Sequence, residues 1–179
     1  MKMFGRKKPG APFRSSWSGS HISMRIEPIV SALIVLAFLA GCASTPQASL
    51  SSDADAKRFD SAMNAAVVYI YRPIGAGHGV STIWLDGRLV GESLPQSFYR
   101  VVARPGHNRI TTSGNDPGRL EFDTRAEGVY FVEARVEGET QSEARSSFRL
   151  VTPEMGKTAI AGCCRMLETW RPGQDRFNF

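Results

Sequence analysis

From Ala66 onward the hydrophobic residues fall into short runs rich in Val, Ile, Tyr and Phe, each closed by turn residues. The runs are AVVYIYRP (66–73), VSTIWL (80–85), RLVGE (88–92), SFYRVVA (97–103), NRITTS (108–113), RLEFDT (119–124), VYFVEARV (129–136) and SSFRLV (146–151). This spacing predicts strands, and Asp86-Gly87 between two of them suits a tight hairpin turn. Leu120 and Phe122 alternate with Arg119, Glu121 and Asp123, and Tyr130, Val132, Ala134 and Val136 alternate with Glu133, Arg135 and Glu137. One wet face per strand predicts an antiparallel sandwich rather than a parallel sheet covered on both sides. After the last run, Thr152-Pro153-Glu154 reads as a helix start: a capping hydroxyl, Pro at the first helical position and an acid at the positive end of the dipole. Met155, Ala159, Ile160, Cys163 and Leu167 then share a face. The expected fold is mainly β, a small antiparallel β-sandwich with a C-terminal helix over residues 66–168, followed by a tail over 169–179.

The amino-terminal pattern is of another kind. Ile29 to Gly41, IVSALIVLAFLAG, is uncharged but shorter than the roughly 20 apolar residues of a spanning helix, and it suits the hydrophobic region of a cleaved leader. Lys2, Arg6, Lys7, Lys8, Arg14 and Arg25 precede it and the next basic residue is Lys57, which places the amino end in the cytoplasm and the remainder outside. Leu39-Ala40-Gly41-Cys42 resembles the lipobox of bacterial lipoproteins, in which the chain is cut between the positions of Gly41 and Cys42 and the cysteine carries the lipid. Two or three acyl chains, at about 0.8 kcal/mol per buried methylene, make a stable anchor. Ile160-Ala161-Gly162-Cys163 nearly repeats the pattern without an apolar run before it and is read as coincidence. Translation from Met24 gives a leader of conventional length, with Arg25 alone ahead of the run and Glu27 offsetting it; translation from Met1 gives a long polar front end. Residues 1–41 are thus a signal peptide. Residues 42–65 form the lipidated cysteine, a flexible tether from Ala43 to about Ser52 and a short helix over Asp53 to Ala66 with Phe59 and Met63 on one face.

Charge changes meaning once the leader is set aside. The chain has 22 Lys and Arg against 17 Asp and Glu, but the leader holds 6 of the former and 1 of the latter, leaving 16 of each. A neutral domain has no basic stripe to offer nucleic acid. Beyond the leader only His78 and His107 could titrate near neutral pH. Gly75-Ala76-Gly77-His78-Gly79 is followed by a strand, whereas phosphate cradles open a helix, so it reads as a hairpin loop. No catalytic residues, cofactor or metal site are expected. Cys163 and Cys164 are adjacent, and successive helical positions point about 100° apart. A bond between them would need a strained local geometry, so Cys163 is expected as a small buried hydrophobe with Cys164 at the edge, the alternative being pairing with another chain.

The order of the runs is similar to that of the bacterial lipoprotein family called domain of unknown function 2846. The resemblance covers about Ala66 to Leu167 and rests on Tyr71, Arg72, Pro73, Asp86, Gly87, Gly91, Tyr99, Pro105, Gly106, His107, Gly128, Tyr130 and Phe131. It implies a small β-sandwich on a lipid anchor and brings no catalytic residues with it. The expectation is a lipid-anchored, non-catalytic envelope module, attached to membrane lipid through Cys42 and facing the periplasm, with an envelope protein or a glycan as partner. Ala43 after the cysteine favours the outer membrane over the inner. Loops carry most recognition on such scaffolds, which singles out Ile74, Gly75, Gly77, His78 and Gly79 in one Gly-rich loop and Gly114, Asn115 and Asp116 in another. An envelope hydrolase or redox factor is the alternative. Exposed Trp84, Tyr99 or Trp170 would favour a glycan, and a concave cluster of His107 with acids would favour catalysis.

Overall fold

The computed structural model describes residues 45–140 and 142–170; the expected leader, the expected cleavage position at Gly41 and the expected lipid attachment at Cys42 lie outside the described residues. Among the described residues nine strands and two helices follow in order: α1 Leu50–Ala56, β1 Ala66–Arg72, β2 Ser81–Leu85, β3 Arg88–Ser93, β4 Ser97–Ala103, β5 Gly106–Thr112, β6 Arg119–Thr124, β7 Val129–Glu137, β8 Arg145–Val151, α2 Pro153–Cys163 and β9 Arg165–Met166. They build one sheet in the order β8-β7-β1-β4-β9 and a second in the order β3-β2-β5-β6. The predicted mainly β sandwich with a C-terminal helix is what forms. No helix among the described residues is long and apolar enough to cross a membrane.

The first sheet is mixed rather than purely antiparallel. β1 pairs antiparallel with β4 from Ala66↔Ala103 to Arg72↔Ser97, but parallel with β7, and β9 runs parallel to β4. β1 is buried at all seven positions, because each of its faces meets a core. Val68 and Ile70 pack between the sheets with Ile83, Leu85, Ile110, Val132 and Tyr99. Val67, Tyr69 and Tyr71 point the other way, toward Phe98, Phe131 and Ile160 under α2. A strand that serves two cores reads as a continuous apolar run, so alternation exists only in its neighbours. In the outer core Tyr69 stacks on Phe131 at 5.1 Å, and the Phe59 ring meets both edge-on at 5.3 and 5.6 Å.

The amino-terminal segment departs from expectation. The stretch read as a tether is docked from Thr45 onward: Gln47 bridges to Leu167, the Ala48 amide donates to the Met166 carbonyl at 2.9 Å, and the Glu168 amide donates to Pro46 at 2.9 Å. The helix starts at Leu50 and ends at Ala56, with Ser49 as its cap. Asp53 accepts from the Met166 amide at 2.7 Å and from Lys57 at 2.9 Å. Phe59 lies beyond the helix with a positive φ of 58°, and Met63 is exposed rather than on a helical face. The partners are more than a hundred residues away in sequence, so no local pattern signals the docking.

α2 buries most of the stripe its periodicity suggests, with Ile160 buried and Ala159 and Cys163 packed against the same core, but not its first member. Met155 is exposed, while Gly156 and Ile160 face the sheet. The helix stops at Cys163, and Leu167 reaches the inter-sheet core from beyond β9. Gly156 sits directly on the Phe131 ring, where any Cβ would overlap the ring carbons, whereas Gly162 on the same helix has open space around it. Glycine at position 156 therefore exchanges helix propensity for contact distance. Replacing Gly156 by Ala should lower stability by about 1 to 3 kcal/mol through overpacking, although the same change in an open helix gains up to about 1 kcal/mol. Gly162→Ala should be neutral or stabilising. Urea unfolding midpoints of the two variants check the opposite signs.

Candidate functional site

Both loops singled out in the sequence lie at the same end of the sandwich, and a single buried cation organises that end. Arg72, the last residue of β1, is 1% exposed and has no carboxylate partner among the described residues. Its Nε donates to the Ala76 carbonyl at 3.2 Å, Nη1 to Gly79 at 2.5 Å and to Ser93 at 2.9 Å, and Nη2 to Val136 at 3.2 Å. Burial pulls its pKa below the ordinary arginine value, yet an arginine keeps its proton in proteins. Four carbonyl dipoles from the β1–β2 loop, the end of β3 and the end of β7 thus take the place of water around the charge.

The glycines of the first loop serve this contact. A side chain at Gly77 would strike the Val136 carbonyl, and one at Gly79 would come within 2.6 Å of the Gly138 carbonyl. Gly79 is buried and Gly77 half-buried, while Ile74, Gly75 and His78 stand exposed at the tip. In the second loop Gly114, Asn115 and Asp116 are exposed, and the loop ties the two sheets together. Ser81 donates its hydroxyl to the Ser113 carbonyl at 2.5 Å, the Asp116 amide donates to Ala144 at 3.3 Å and the Ser146 amide donates to Asp116 at 3.0 Å. Ala144 and Gly138 bring the β7–β8 connection to the same end. That third loop was missed in the sequence, although Gly138 within a polar run was a signal for it.

A second group lies on the outer face of the first sheet, beyond the part covered by α2. Glu133 and Arg135 point outward from β7, opposite Arg149 and Ser147 of β8 in the strand register. Arg135 Nε donates to Glu133 Oε1 at 2.9 Å and Arg149 Nη2 donates to Glu133 Oε2 at 2.8 Å, with the Tyr71 hydroxyl 3.5 Å from the same Oε2. Burial pushes the Glu133 carboxyl up, but the hydrogen bonds and charges of Arg149 and Arg135 outweigh it and hold it below the usual carboxylate value. Tyr71 is pushed up to about 12, first by burial and then by the Glu133 charge, and stays a neutral phenol. Glu133, Arg135, Ser147 and Arg149 line an open depression of about 300 Å³. Glu133 corrects the expectation that the polar face of this strand is wet throughout: its side chain is only 8% accessible. Alternation marks which way a residue points, but what stands over it is decided by the neighbouring strands.

The remaining candidates separate. His107 Nδ1 lies 3.2 Å from Asp123 and its Nε2 lies 3.8 Å from Glu121, a cross-strand group with His107 63% and Asp123 85% exposed. No group of three or more His, Cys, Asp or Glu among the described residues is placed to hold a metal. Tyr99 is buried, its hydroxyl donating to the Glu92 carbonyl at 2.7 Å, and Trp84 and Trp170 are half-buried. Cys163 and Cys164 are joined as a disulfide of adjacent residues. This corrects both parts of the expectation, since Cys164 is the buried member and Cys163 the half-buried one. The helix ends between them: Cys164 is extended at φ −116° and ψ 145°, so the two are not successive helical positions.

Comparison with known proteins gives one relative to report, an uncharacterized protein of Haemophilus influenzae that is 29% identical over 101 residues, 55% of this chain and 60% of that protein's length. The chain therefore spans less than two thirds of that relative. No family model matches the chain, and no solved structure matches it.

Two outcomes are expected of these groups. Arg72→Met should cost about 3 to 5 kcal/mol, because four buried carbonyls lose their donor. Arg72→Lys should recover only part of this, since an ammonium has three donors; urea unfolding measures both. For Glu133 the folded pKa lies below the ordinary 4.5, so its contribution is complete above that value and is lost as pH falls through the folded pKa. Glu133→Gln should therefore flatten the decline of stability as pH falls below the ordinary carboxylate value of 4.5, as read from unfolding midpoints at each pH.

Proposed function

We propose that this chain is a lipid-anchored protein of the bacterial cell envelope, related to the lipoprotein family it resembles, whose sandwich binds an envelope protein or a glycan rather than catalysing a reaction. The observation that carries the address is the order of apolar run, Leu39-Ala40-Gly41 and Cys42, with basic residues ahead of it and none after it until Lys57. The anchor lies in the periplasmic leaflet of the outer membrane, on the strength of Ala43. Thr45 already donates to Glu92 of β3 at 3.2 Å. The three residues from Cys42 to Thr45 reach at most roughly 11 Å, so the anchor holds the domain close against the bilayer rather than on a long leash.

The binding role is supported by the convergence of three loops at one end, fixed from below by Arg72, with Ile74 and His78 left outward. The enzyme alternative has two observations behind it, the His107–Asp123 pair and the Cys163–Cys164 disulfide. The pair is highly exposed, and general acid-base chemistry works best where water is excluded and pKa values are tuned.

Cys42→Ser should abolish lipid attachment and cleavage, seen as an unprocessed mass and loss of the acyl chains, and normal processing of the variant would refute the anchor. Sucrose-gradient fractionation should place the parent protein with the outer membrane; sedimentation with the inner membrane would overturn that placement alone. A partner cross-linked to the detergent-extracted lipoprotein should be lost with Ile74→Ser and His78→Ser together, while the unfolding midpoint moves by no more than about 0.5 kcal/mol equivalent. A turnover that disappears with His107→Ala would instead favour the enzyme.

A further inference from the structure

We infer that the depression over Glu133 is a binding site for an oxyanion, a carboxylate or phosphate group carried by a small solute. The inference is independent of the membrane anchor and of the loop end. It starts from a charge count: Arg135 and Arg149 contribute two cations, Glu133 one anion and Tyr71 none, so the depression holds one positive charge in excess. In a domain with equal numbers of acids and bases that excess is local, and it sits in a concavity lined by no other acid.

The second step is the way the arginines are held. Each gives one nitrogen to Glu133, Arg135 through Nε and Arg149 through Nη2. Within the described residues both Nη nitrogens of Arg135 and the Nε and Nη1 of Arg149 take part in no further hydrogen bond or ion pair. The two arginine side chains remain 54% and 61% exposed while the Glu133 side chain between them is only 8% accessible. Glu133 therefore works as a buried strut. It fixes two long side chains in place before any ligand arrives, which removes much of the ordering entropy that binding would otherwise cost. The planar fork of arginine suits carboxylate and phosphate, which it takes bidentately.

The third step is position. Ser147 stands opposite Arg135 across the β7–β8 pair and lines the same depression, offering a hydroxyl beside the guanidinium. An opening of about 300 Å³ is at the small end of ligand sites, room for one anionic group and a few attached atoms. Tyr71, beneath, pairs in register with Glu133 and adds a neutral hydroxyl that keeps the strut in place without adding charge.

The test uses the full-length protein in detergent, titrated in parallel with inorganic phosphate and with acetate. The arginine side-chain N–H resonances are followed by NMR. Saturable shifts confined to Arg135 and Arg149, with Kd in the millimolar range or tighter, support the site, and the arm that saturates first identifies the group. Arg135→Gln and Arg149→Gln should each weaken binding by about tenfold or more, as expected for loss of a charge-assisted contact. Arg149→Lys, which keeps the charge but not the fork, should weaken it less. Arg119→Gln, on the other sheet and paired with Glu121, should leave it unchanged. If neither anion produces saturable shifts at Arg135 and Arg149 in the parent protein, the site does not exist, whatever the variants do. Binding that survives unchanged in both glutamine variants, or that falls equally in Arg119→Gln, overturns it as well.

Discussion

A cation buried without a carboxylate partner is tolerated only if dipoles replace its water, and around Arg72 that requirement shapes one whole end of the molecule. Its acceptors come from three separated places: the β1–β2 loop, the end of β3 and the end of β7. None of these segments can shift without leaving part of the charge unsolvated, a penalty of several kcal/mol in a site this closed. The close backbone approaches at Gly77 and Gly79 follow from this, because the loop must lie flat on β7 for its carbonyls to reach the guanidinium. A loop that is glycine-rich in sequence is thus rigid at its base and free only at its tip.

The same strand that supplies Arg72 divides the outer face of the first sheet into two chemical halves. Toward the start of β1 the face is aromatic, with Tyr69, Phe131 and Phe59 packed under α2. Tyr69 also donates to the Ala56 carbonyl at 2.7 Å and so closes the end of α1. Farther along, the same face turns polar at Tyr71 and Glu133, beyond the position where Gly156 rests on Phe131. A helix with a large residue at position 156 would stand farther from the sheet and loosen the aromatic half. The polar half depends on having no such cover, since Arg135 and Arg149 must keep their outer nitrogens in water when no anion is bound. The Cys163–Cys164 disulfide lies where α2 gives way to β9, with the Cys164 sulfur 3.6 Å from the Arg72 carbonyl oxygen. The end of the helix is therefore packed against the same residue that organises the loops.

Local sequence determined the strands, the start of the last helix and the fold class, because the period-two pattern, the turn residues and the Thr152-Pro153 cap act over a few residues and need no distant partner. It also placed Ile74 to Gly79 and Gly114 to Asp116 in loops. What it did not determine was company. The parallel pairing of β1 with β7, the docking of 46–48 on 166–168 and the burial of Glu133 between Arg135, Arg149 and Tyr71 all join segments far apart in the chain. An arginine reads as a surface residue in any local pattern, and Arg72 becomes the largest of the fully buried side chains only because four carbonyls from elsewhere arrive around it. Periodicity tells which way a side chain points; whether water, a hydrophobic ring or an opposite charge waits there is settled by tertiary contacts, whose energies exceed any local preference.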